Sequence, residues 1–112
     1  MKNNKKETMQ ELNTVKELVR FVLTMEPNAR NSDSYLYLKV IEQQAKEKKI
    51  DLHLLSVPWF FLHSGTEGFA NYESVRRARQ KLQAECPHLM GVARVEAARR
   101  ENETAFREWA VE

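Results

Sequence analysis

The chain has 112 residues, 42% hydrophobic and 30% charged, with 18 basic against 16 acidic residues and a formal net charge of +2. That length fits one small domain with a thin core, and three glycines with three prolines are too few for the many tight turns of an all-β design. No apolar run approaches the roughly 18 residues of a membrane span, no signal-peptide core follows the basic start MKNNKKET, and the single cysteine, Cys86, leaves no internal disulfide to form, as in a reducing cytoplasm.

Residues 1–7 are polar and lysine-rich and read as a flexible basic tail. Two capping boxes follow, Thr8 with Glu11 and Thr14 with Glu17, and either can open the first helix. Leu12, Val15, Leu18, Val19, Val22 and Leu23 then recur at helical spacing on one face. Glu26-Pro27 ends the helix, because a residue before proline avoids the α region.

A turn and a second helix come next. Asn31 or Ser32 serves as N-cap, with Asp33 in the first turn. Leu36, Tyr37, Leu38, Val40, Ile41 and Ala45 cover more than half the circumference, which predicts a central helix with several neighbours. Lys46, Lys48 and Lys49 suit its C-terminal dipole.

The stretch DLHLLSVPWFFLHSG is the most apolar. A short strand over Leu52–Leu55 fits its start. Ser56 or Val57 caps a short helix with Pro58 in its first turn. Trp59, Phe60, Phe61 and Leu62 are expected in the core, and Gly65 stops the helix. Three adjacent aromatics cannot all face inward on one helix, so part of this patch is also a candidate for partner contact or self-association. Pro87 breaks the chain again. The last helix is expected from about Val92 to Trp109, with Val95, Ala98, Ala105, Phe106 and Trp109 inward and Glu96–Arg100 and Glu103–Arg107 as i,i+4 pairs. The pattern as a whole predicts one all-α domain over 8–112, of four to five helices around a helix-turn-helix or winged-helix-like core, with little or no β structure.

The chemistry concentrates in NYESVRRARQKLQ, residues 71–83. Residues 71–100 hold seven basic against three acidic residues, whereas residues 101–112 hold one against four. On a wheel of about 100° per residue, Val75, Ala78 and Leu82 form an inward seam. Arg76, Gln80 and Gln83 fall together on one side and Arg77 lies nearly opposite the seam. The outward face is then Arg and Gln without acid, and these are the side chains that make bidentate contacts to guanine and adenine. In this reading helix 72–85 enters the major groove of double-stranded DNA. Arg76, Arg77 and Gln80 meet the bases, while Arg79, Lys81, Ser74 and Tyr72 position the phosphates. The short helix Ser56–Ser64 would be the first member of the helix-turn-helix pair, although GTEGFAN makes a longer turn than usual.

NTVKELVRFVL, EPNARNSDSYLYLKV and NYESVRRARQKLQAECPHL resemble small, mostly uncharacterised proteins of bacteriophages and prophages, especially of Gram-positive bacteria. Their helical E-[ST]-[VI]-x-R-x-R-[QR]-K-[LIV]-Q segment corresponds here to Glu73 through Gln83. The resemblance spans roughly Asn13 to Trp109. It implies phage origin, a bacterial cytoplasm and a helix-turn-helix-like or winged-helix-like fold. It carries no assigned activity. Small phage proteins often inhibit host machinery, so the runner-up function is a protein–protein module acting on a host nucleic-acid enzyme or defence system.

Catalysis finds little footing: there is no P-loop, GxGxxG, GxSxG or HExxH. His53, His63, Cys86 and His88 are the only soft metal ligands, and Cys86-x-His88 is not a zinc spacing. Neither a cofactor nor a metal is expected, and the chain is read as non-enzymatic.

Overall fold

Helix α1 runs from Asn4 to Met25, so it begins before either capping box. Thr8 and Thr14 lie inside it, and residues 4–7, expected in the tail, are helical. The computed structural model describes the backbone of residues 4–111 and the side chains of residues 15–105 and 107. Expectations for Leu12, Phe106 and Trp109 as core residues therefore lie outside the described side chains. From Val15 onward the apolar stripe behaves as its spacing predicts. Leu18, Val19, Val22 and Leu23 are buried, a set of i, i+1, i+4 and i+5 positions on one face. Pro27 halts the helix, and a 3-10 turn, Pro27–Asn31, follows. Arg30 folds back over the end of α1. Its Nε donates to the Leu23 carbonyl at 2.7 Å, satisfying an acceptor that the helix leaves unpaired.

Helix α2, Asp33–Lys48, is capped by Ser32, whose hydroxyl accepts from the Tyr35 N–H. It ends at Lys49 with φ 59°, where the Ile50 N–H reaches the Ala45 carbonyl at 2.9 Å. That is the left-handed closure glycine usually supplies. Leu36 and Val40 bury against α1, and Ile41 and Ala45 form a smaller cluster with Phe69. The predicted strand over Leu52–Leu55 is instead a 3-10 turn, Leu52–Leu54, pinned by Asp51 accepting from the His53 N–H at 2.9 Å. Local side-chain bonding of this kind competes with an extended backbone.

Helix α3, Val57–His63, starts at the Ser56 cap. It stops before Gly65, because the Phe69 N–H returns to the Ser64 carbonyl and Gly68 turns the chain at φ 84°. Helix α4, Tyr72–Glu85, has the expected bounds, with Asn71 as N-cap. Val75 and Leu82 drop into the core beside Leu89. A 3-10 turn, Pro87–Leu89, leads to α5, Ala93–Val111. The base of α5 is tied to the turn after α1: the Val92 N–H donates to Asn31 Oδ1 at 2.8 Å, and Arg99 Nη1 donates to the Arg30 carbonyl at 3.0 Å. Gly91 makes this approach feasible, since a Cβ there would lie 2.7 Å from the Arg30 carbonyl oxygen. Along α5, Val95 is half-buried, whereas Ala98 and Ala105 are exposed, contrary to the inward stripe expected of them. Glu96 pairs with Arg99 at 2.8 Å, one residue short of the expected Arg100, because Arg99 is the side chain aimed back at the core.

Among the described residues every regular element is thus helical, with five α-helices, three 3-10 turns and no strand. None of the described helices is long and apolar enough to cross a membrane.

Candidate nucleic-acid interface

The α4 face divides into a buried flank, a cleft and an open ridge. Arg79 belongs to the buried flank and not to the phosphate-contacting set. Its side chain is 6% exposed; Nε lies 2.7 Å from Asp33 Oδ1, and Nη2 donates to Oδ2 at 3.3 Å. The Nε and Oδ1 atoms meet out of line for a hydrogen bond and neither makes a hydrogen bond elsewhere, so their attraction is mainly charge on charge. Burial lowers the Arg79 pKa, opposed by the charge of Asp33. Four residues beyond Val75, Arg79 stands about 40° from it on the wheel, on the flank of the Val75–Ala78–Leu82 seam. A guanidinium there must be paired, and its partner lies 46 residues away in sequence.

Gln83 likewise leaves the outward face expected of it. It is buried, accepts from Arg79 Nη1 at 3.0 Å and donates to the Leu89 carbonyl at 2.9 Å. Its role is to hold the turn after α4 against the helix, not to face outward. Arg99 completes the network, with Nη2 3.5 Å from Asp33 Oδ1. Asp33 was expected only as a first-turn acid of α2, yet it anchors α4 and α5 together.

Between α4 and α5 lies a cleft of about 400 Å³ whose lining includes Arg76, Gln80, Ala84, Met90 and Arg100. Helix α5 therefore flanks the Arg76–Gln80 side of α4. Arg76 is not free of acid. Its Nε donates to Glu73 Oε2 at 3.0 Å, and its Nη2 pairs with Oε1 at 2.6 Å. Arg77 Nε donates to the same carboxylate at 3.2 Å. The Arg76 hydrogen bonds, with the charges of Arg76 and Arg77, hold the Glu73 carboxyl well below its usual 4.5, at about 2. Glu73 is thus the shared acid of both arginines.

The open ridge comprises Ser74, Arg77 and Lys81, all exposed, with Tyr72 at its N-terminal end. The Arg77 side chain is 75% exposed despite its bond to Glu73. Tyr72 leans edge-on against Tyr37, with centroids 5.4 Å apart. The Asn71 side chain caps α4 by accepting from the Ser74 N–H at 2.7 Å, so that first-turn donor is already used.

His53, His63 and His88 are exposed and Cys86 is half-buried. Among the described residues no three His, Cys, Asp or Glu side chains gather where they could hold a metal ion. Comparison with protein-family models, with curated proteins and with solved structures finds no match to this chain.

Proposed function

We propose that this chain is a non-enzymatic binder of double-stranded DNA, of phage origin and acting in gene regulation, with α3 and α4 as a helix-turn-helix-like pair. The observation that carries the proposal is the open Arg77–Lys81 ridge of α4, with Ser74 and Tyr72 in line and Gln80 on its flank. Arg77 and Gln80 address base edges; Lys81, Ser74 and Tyr72 address phosphates. Arg76 joins them by exchanging Glu73 for a phosphate oxygen, and Arg79 takes no part. Two cations at phosphates, Lys81 and Arg76, give a log–log salt slope of about −2.

The test is Arg77→Ala with Lys81→Ala in an anisotropy titration against mixed-sequence duplex DNA. The double variant should lose at least about tenfold in affinity and flatten the salt slope by about 1, the share of Lys81. Equal binding by parent and variant would sink the assignment.

A second reading draws on Glu73, which engages both Arg76 and Arg77 and leaves few free cations for a duplex. A smaller acidic surface on a host nucleic-acid enzyme suits such a ridge better, and the chain would then be an inhibitor. A pull-down from nuclease-treated host lysate separates the two readings. A protein retained through Arg77 and Lys81, without affinity for DNA, selects the inhibitor.

A further inference from the structure

Helix α3 and the 3-10 turn before it present apolar side chains to solvent on a scale that isolated surface residues do not reach. Leu54 is 82% exposed, Val57 68%, Phe61 79% and Leu62 76%. Beside them runs an apolar groove of about 370 Å³ between α2 and α3, lined by Tyr37, Leu38, Ile41, Leu52, Leu55 and Phe60 among others. Exposed apolar residues that cluster in this way mark a contact surface.

We propose that this face docks a second copy of the chain in a two-fold dimer. Two observations favour a copy of itself over a different partner. First, the segment 51–64 carries a single charged residue, Asp51 at its edge. A two-fold axis sets each group against its own kind, so a patch almost without charge meets its copy without like-charge repulsion. It also offers no charge by which a different partner would be selected. Second, the patch is both knob and socket. Phe61 stands out from α3 and also lines the groove, so one copy's Phe61 can enter the other's groove while receiving its counterpart. The exposed side chains offer on the order of 500 Å² of apolar area. With a polar rim, that approaches the roughly 800 Å² each partner of a standard interface buries.

The experiment is sedimentation equilibrium of the full chain without DNA, from roughly 1 to 500 µM. The parent should pass from its 13.2 kDa monomer mass to twice that value. Phe61→Ser with Leu62→Ser should weaken association at least about tenfold while leaving the helical circular dichroism unchanged. Should that variant misfold, Leu62→Cys with Cys86→Ser supplies an independent readout, expected to cross-link into a covalent dimer under mild oxidation. A parent that stays monomeric throughout overturns the proposal, including the case in which a different protein covers the patch. Self-association that survives in a folded variant overturns it too, by placing the interface elsewhere. Neither result depends on DNA binding, since α3 contributes none of the contacts proposed on α4.

Discussion

Helices α3 and α4 invert what their compositions promise. The aromatic α3 reads as core but leaves Phe61 and Leu62 in solvent. The arginine-rich α4 reads as a polar helix docked by a narrow seam, but beside Val75 and Leu82 it also buries Arg79 and Gln83. Layering explains the difference. Helix α4 lies against α1 and α2 on one side and is flanked by α5 on another, so even its polar side chains must find protein partners. Helix α3 has seven residues at the edge of the smaller cluster, where Phe60 packs against Phe69 at 5.6 Å between centroids. Nothing described covers its outer side. Composition therefore ranks burial poorly in a domain this thin, and the number of neighbouring layers decides it.

The largest effect should come from testing α4 as a core element. Arg79→Ala removes the cation from Asp33, whose side chain is only 21% exposed. Breaking a buried pair costs about 3–5 kcal/mol. Asp33 keeps Arg99 at 3.5 Å and some solvent, so we expect about 2–3 kcal/mol in urea unfolding. Adding Asp33→Asn should recover part of that loss, because no carboxylate is then left unpaired. A loss below about 0.5 kcal/mol, the range of ordinary surface changes, would return Arg79 to the surface and restore it to the DNA-contacting set.

Much of the frame was readable locally. The Ser32 cap, the stop at Glu26-Pro27 and the Val75–Leu82 seam all act within a few residues. What escaped depends on distant partners. Arg79 borders the seam by angle, but its charge argues for solvent, and Asp33 is remote in sequence. Gln83 was paired with Gln80 by angle, yet it folds inward to reach the Leu89 carbonyl, which exists only once Pro87 turns the chain. Phe61 and Leu62 were expected inside because the run is apolar. A four-residue run spans most of a helical turn, so one contact layer accommodates about half of it. The face of α4 that stays open was legible at Arg77 and Lys81, while the role of Glu73 as their shared acid was not.

A smaller effect sharpens the ridge itself. Glu73 titrates at about 2 when folded, against its usual 4.5. Because the folded value is the lower one, its pairing with Arg76 and Arg77 stabilises the fold in full above about pH 4.5 and is lost as pH falls toward 2. A carboxyl NMR titration should find the low midpoint in the parent and a return toward the usual value in Arg76→Ala. A parent midpoint at the usual value would mean that both arginines are free. The ridge of α4 would then carry more available charge than its geometry implies, and the DNA reading would gain over the acidic-protein reading.

The smallest effect is the sharpest contrast with Arg79. Phe61→Ser exchanges a large aromatic for a small polar side chain, a change that costs about 3–5 kcal/mol in a packed core. With its side chain in solvent, Phe61 should change unfolding stability by no more than about 0.5 kcal/mol. The measurement belongs at low concentration, because a dimer adds stability by mass action and would make the parent look stronger as concentration rises. A loss of 3 kcal/mol or more in the monomer would show that α3 packs inward after all. The inversion between the two helices would then vanish, leaving α3 as the core element its composition promised.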